Sequence, residues 1–137
     1  MPPSAKKILL IALVAGAGAV LPGYLLVNLA RCHLPKRELV GKIDYAERVV
    51  VYKQTRPSLR VSFSGEDLQY ILKAIADSEH DAGVYDTPVG LYRMEFYKGD
   101  VLLVEIGACG DLWSFRGKQY RAPPDSINKY FQMQQNP

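Results

Sequence analysis

"LYRMEFYKGDVLLVEIGACGDLWSF", residues 91–115, is the stretch from which the fold is read. In 91–98 the side chains alternate, with Leu91, Arg93, Glu95 and Tyr97 on one side and Tyr92, Met94 and Phe96 on the other. A period of two marks a strand with one buried face. Gly99-Asp100 supplies a hairpin turn, and VLLVEI (101–106), apolar almost throughout, is expected as the central strand. GACG (107–110) reads as a second tight connection and LWSF (112–115) as a third strand, with Trp113 and Phe115 on one face. Strands joined by consecutive hairpins pair antiparallel. Only one face of such a sheet can be core, so the other must carry Arg93, Glu95 and Tyr97.

The flanking segments extend the pattern. IDYAERVVVYKQ (43–54) is rich in β-formers, Thr55-Arg56-Pro57 is a turn, and Leu59, Val61 and Phe63 alternate with polar residues. "FSGEDLQYILKAI" (63–75) then carries a helix start. Ser64 is the N-cap candidate, with Asp67 in the capping-box position, and Phe63 and Leu68 are placed for a hydrophobic staple. Leu68, Ile71, Leu72 and Ile75 follow core-facing helical spacing. Residues 79–89 read as a polar loop. After 112–115, Gly117-Lys118 marks a turn or bulge before Gln119-Tyr120-Arg121, and Pro123-Pro124 stops the sheet. Asp125 or Ser126 is expected to cap a short last helix with Ile127, Tyr130 and Phe131 as its apolar stripe. The expected fold is α+β: a small antiparallel sheet of about five strands, in the order β-β-α-β-β-β-α, with one or two helices on one face.

Upstream, residues 8–30 (ILLIALVAGAGAVLPGYLLVNLA) contain no formal charge. At 1.5 Å per residue they span roughly 34 Å as a helix, enough to cross a hydrocarbon core. The expected organisation is a basic N-tail (1–7), a transmembrane helix (8–30), a basic juxtamembrane linker (31–40) and a soluble α+β domain (41–137). A cleavable signal peptide is the competing reading, since Lys6-Lys7 and the small residues at 15–19 suit one, but cleavage there would leave VLPGYLLVNLA as an apolar new terminus. Ala12, Gly16 and Ala19 form a small-residue strip along which another membrane helix could pack. Residues 1–37 carry five Lys/Arg and no acid, whereas the remainder carries twelve Lys/Arg against fourteen Asp/Glu. The basic excess therefore flanks the apolar run, where it suits anionic lipid, and no basic face for nucleic acid is evident. The short polar N-tail is that of a signal anchor, which puts the domain on the non-cytoplasmic side.

Chemistry is thinly signalled. Cys32 follows Leu29-Ala30-Arg31, a lipobox spoiled by its arginine, and a Cys32–Cys109 disulfide is an open possibility. Cys109 between glycines could be a nucleophile, but neither His33 nor His80 is spaced to serve as its base. Asp77, Glu79, His80, Asp81 and Asp86 are dense in oxygen ligands yet miss the EF-hand and zinc spacings. No cofactor motif is present. Tyr92, Phe96, Trp113 and Tyr120 are candidates for an aromatic interaction patch; packing beneath the helices is the alternative.

The layout resembles that of small bacterial envelope proteins with an N-terminal anchor, without a motif that selects one family. The leading expectation is a single-pass membrane protein whose domain engages other membrane-protein subunits as an accessory or structural component. A freestanding envelope ligand-binding or inhibitor module is the alternative, and a thiol enzyme using Cys109 the third.

Overall fold

The computed structural model describes residues 26, 34–83 and 90–133. The compact unit that holds nearly all of them is Leu34–Pro137. Apart from Leu26, the apolar segment 8–30 lies outside the described residues, as do Ala12, Gly16, Ala19 and Cys32. Among the described residues no helix is long and apolar enough to cross a membrane.

The unit is α+β, with one seven-stranded antiparallel sheet. Helix α1 covers residues 34–43. It is followed by β1 (Arg48–Lys53), β2 (Arg56–Phe63), α2 (Gly65–Ala76), β3 (Glu79–His80), β4 (Tyr92–Lys98), β5 (Val101–Cys109), β6 (Leu112–Phe115), β7 (Lys118–Arg121) and α3 (Asn128–Gln132). The order across the sheet is β2-β1-β4-β5-β6-β7-β3. Between the two hairpin groups the chain crosses by α2 and β3, so β1 pairs β4 while the two-residue β3 closes the far edge on β7.

Seven strands replace the expected five or so. Glu79–His80 pairs with Arg121 and Tyr120, a tertiary pairing that two residues of sequence cannot announce. Lys118–Arg121 pairs along the whole of β6 and is a full strand. Strand β5 runs on through Gly107, Ala108 and Cys109, so the turn sits at Gly110-Asp111 and not at GACG.

Residues 34–40 also depart from expectation, being helix where a linker was read. Leu39 and Ile43, one helical turn apart, are 0% and 1% exposed, and Lys42 lies 3.5 Å from Glu38 at the same spacing. The strand read from residue 43 begins at Arg48.

The helices lie on one face of the sheet. Leu39 and Ile43 of α1, Leu68, Ile71, Leu72 and Ile75 of α2, and Tyr130 and Phe131 of α3 join a single core with Val49, Val51, Met94, Phe96, Ile106 and Ala108. Aromatic contacts stitch the layers: Trp113 stacks on Tyr120 at 4.4 Å, Tyr92 on Phe131 at 4.6 Å, and Phe63 meets Tyr130 edge-on at 4.9 Å. Trp113 Nε1 donates to Ser78 Oγ (2.8 Å), which donates to the carbonyl of Ala74 (2.8 Å), so the polar atoms buried at the end of α2 are paired.

Two helix ends are secured differently from the sequence reading. Ser64 is the N-cap of α2 but makes no side-chain cap hydrogen bond, and Asp67 accepts instead from the Tyr130 hydroxyl at 3.1 Å. The start of α3 is capped from another hairpin: the Asp111 carboxylate accepts the amides of Asp125 (2.7 Å), Ile127 (3.3 Å) and Asn128 (3.1 Å).

Candidate interaction surface

Because side chains alternate along a strand, the residues between the core positions form a second face, and among the described residues no helix covers it. Strand register sets its rows. Arg48 stands beside Tyr97, which stands beside Leu102. Ser62, Val50, Glu95 and Glu105 form the next row, and Arg60, Tyr52, Arg93 and Gly107 the one after.

Glu95 is the centre. It is 6% exposed although no helix lies over it. Tyr52 donates its hydroxyl to Oε1 at 3.0 Å, and Tyr97 (2.5 Å) and Arg60 Nη1 (3.0 Å) donate to Oε2. The Arg48 guanidinium lies 4.2 Å over the Tyr97 ring, and that of Arg60 lies 4.2 Å over Tyr52. Two tyrosines and two arginines thus cluster around Glu95, and Val50 in the same row is 7% exposed.

Arg60 is aimed by an irregularity in its own strand. Arg60 pairs with Tyr52, but the next pair is Arg56 with Lys53, so Pro57, Ser58 and Leu59 bulge out of register. Arg60 Nε donates back to the Pro57 carbonyl at 3.0 Å, which turns the guanidinium over the face. The same bulge and proline interrupt β2 as an edge strand, and the other edge, β3, is two residues long. Both edges are poor templates for an added strand.

Glu95 and Glu105 are direct cross-strand partners, a like-charge pair that each acid relieves with its own arginine: Arg60 for Glu95, and Arg93 at 3.5 Å for Glu105. Burial pushes the Glu95 carboxyl up, but hydrogen bonds from Tyr97 and Tyr52 and the charge of Arg60 outweigh it and leave it below the ordinary carboxylate value. Burial and the bond to Glu95 raise the Tyr52 hydroxyl; that bond, then burial, raises Tyr97. Through the neutral range the acid is charged, both phenols are neutral, and all three polar groups are spent on one another. Glu95 therefore has little capacity as a general base. The face offers aromatic rings, guanidinium groups and, at its rim, the exposed Leu102.

The four residues put forward as an aromatic patch are not on this surface. Tyr92 is 6% exposed and Phe96, Trp113 and Tyr120 are fully buried, all beneath the helices, so they are core and cannot meet a partner. The face that was read as carrying Arg93, Glu95 and Tyr97 is the one described here. Tyr52 and Arg48 went unread because the continuous run Val49-Val50-Val51 hides the alternation of Arg48, Val50 and Tyr52 around it, and Arg60, though on the polar side of its strand, gives no local sign that it reaches Glu95.

Cys109 is a half-buried free thiol at the end of β5. Register puts Leu112, Arg121 and Glu79 in line from it, with His80 on β3 three strands away, on the order of 14 Å. His80 packs edge-on against Tyr120 at 5.8 Å and faces the core side. The two are not brought together. Asp81, in the acidic stretch, accepts from the Gly83 amide (2.8 Å) and from Arg121 Nε (3.0 Å). Among the described residues no group of three His, Cys, Asp or Glu side chains is placed to hold a metal ion. A groove of about 210 Å³ runs beside α2, lined by Tyr70, Lys73, Ala74, Asp77, Pro123 and Ser126, smaller than most ligand pockets.

No family model matches the chain, and no curated protein or solved structure matches it.

Proposed function

We propose that the chain is a single-pass membrane protein, anchored by residues 8–30, whose α+β domain docks another protein through the helix-free face of its sheet. The observation that carries this reading is the Tyr52–Glu95–Tyr97–Arg60 network. Tyrosine and arginine are the residue types that dominate interface energetics, and here hydrogen bonds and ring stacking hold them in fixed positions before any partner arrives. With each acid of the face countered by its own arginine, Arg48 is the surplus cation and leaves the face mildly cationic, which suits a partner surface bearing carboxylates around an apolar centre. The role that fits is that of an accessory subunit of a membrane complex, with the domain on the non-cytoplasmic side.

The test is extraction of the full chain from its native membrane in mild detergent. A complex of fixed stoichiometry is expected, and the double variant Arg48→Glu/Arg93→Glu should release the chain from it while still melting as a folded, cooperative unit, at a somewhat lower temperature because Arg93 no longer offsets Glu105. A chain that runs alone, or a complex indifferent to both reversals, would overturn the reading.

A further inference from the structure

At the foot of the domain, where the chain passes from residue 33 to Leu34, the sequence offers Lys36 and Arg37 as cations for lipid head groups. The structure redistributes that role. Lys36 is committed elsewhere: its ammonium donates to the carbonyls of Ala76 (3.1 Å) and Ser78 (2.7 Å) and closes the C-terminal end of α2. In its place a distant turn arrives. Arg116 Nη1 donates to Glu38 Oε2 at 2.5 Å, which sets the β6–β7 turn against the first turns of α1. Arg116 and Lys118 of that turn thereby join the exposed Arg37, beside an exposed Leu34. Two acids lie close by, each with cations of its own: Glu38 is shared between Arg116 and Lys42, and Asp81, whose amide donates to the Gln119 carbonyl at 2.9 Å, holds Arg121 at 3.0 Å.

The backbone of the turn supplies a second observation. Arg116 and Gly117 both have positive φ, 51° and 73°. Asparagine or glycine would take the first of these positions at lower cost, whereas arginine there is strained. A side chain kept at a strained turn position points to a use for the side chain.

We infer that the β6–β7 turn, through Arg116 and Lys118 together with Arg37 of α1, binds the anionic head groups of the bilayer surface and holds the domain in one orientation on the membrane. This rests on the anchor proposed above. The cations come from positions about eighty residues apart in the chain, so they form one site only in the folded domain.

The experiment uses the full chain in phospholipid nanodiscs, zwitterionic phosphatidylcholine alone or with anionic phosphatidylglycerol added, and reads amide hydrogen exchange in residues 115–119. Phosphatidylglycerol is expected to slow exchange there about fivefold, the factor that one head-group cation contributes, and high salt should remove the effect. Arg116→Gly, which relieves the backbone strain and so should fold, and Lys118→Gln should each lose most of the slowing, judged by the ratio between the two lipids within each variant. If the chain enters the discs and 115–119 exchange alike in both lipids, the head-group site is wrong and the anchor stands. Slowing that survives both variants also overturns it. A chain that does not enter the discs sinks the anchor first.

Discussion

The two faces of the sheet achieve burial by opposite means. On one, aliphatic and aromatic side chains from β1, β4, β5 and β6 are covered by three helices, and Val49, Val51, Met94 and Phe96 reach 0% exposure. On the other, Val50, Tyr52 and Glu95 fall to 7%, 9% and 6%, and the cover that the described residues supply is the side chains of β1, β2 and β4, with no helix. The first face is held by apolar area and shape, the second by directed hydrogen bonds and ring stacking. A core of the first kind hides its residues, while a layer one side chain thick leaves the outer surfaces of its rings and guanidinium groups available. The helix-free face thus keeps its polar groups in contact with one another and its rings and guanidinium groups at the surface.

Substitutions at neighbouring positions separate the two kinds of burial. Phe96→Ala empties a fully buried site under the helices and should cost about 3–5 kcal/mol, read as a large drop in denaturation midpoint. Ser78→Ala is expected to cost about 1–3 kcal/mol, because it strands the Trp113 indole N–H inside the core; Trp113→Phe removes that donor, so it should cost less in the Ser78→Ala background than in the wild type.

Glu95→Gln tests the opposite face, at about 1–2 kcal/mol near neutral pH. Its signature is the pH profile. The folded Glu95 lies below its ordinary value of 4.5, so the stability it contributes is complete above about that pH and is lost as pH falls through the lower folded value. The wild type should therefore lose its advantage over the glutamine variant in acid. An advantage that persists unchanged in acid would mean that the carboxylate's charge is not what holds the layer.

Tyr130 provides the alkaline counterpart beneath the helices. Burial, and then its bond to Asp67, push its hydroxyl from 10.0 up to about 12. The contribution is present below pH 10 and is lost as pH rises toward 12, so Tyr130→Phe should flatten that limb and cost about 0.5–1.5 kcal/mol at neutrality. The smallest effect is expected from Arg93→Ala, within roughly 0.5 kcal/mol of wild type, since its bond to Glu105 is half-exposed.

Much of this was legible because period two is hard to disguise. The alternation in 91–98 separated Tyr92, Met94 and Phe96 from Arg93, Glu95 and Tyr97, and the helix in 65–76 followed its apolar spacing. What escaped was either short or non-local. Glu79–His80 is a strand only because Arg121 and Tyr120 lie beside it. The cap of α3 comes from Asp111 in another hairpin, while the local candidates Asp125 and Ser126 make none. Helix 34–43 was obscured by Pro35 and by basic residues that suggest lipid contact when read one at a time. The four aromatic residues stayed between patch and core because tyrosine and tryptophan suit both equally well, and sequence alone does not say which face the helices choose; they are core. The central network escaped because its pairs, such as Arg60 with Glu95, are 35 residues apart and meet only through register.

Lys36 also decides how the domain bears load. A pull applied at Leu34 meets the two hydrogen bonds from Lys36 to the end of α2 before it reaches any strand. Tension is shared between two helices and spread over the core beneath them. The sheet, whose hairpins would open one bond at a time if peeled from an edge, is spared.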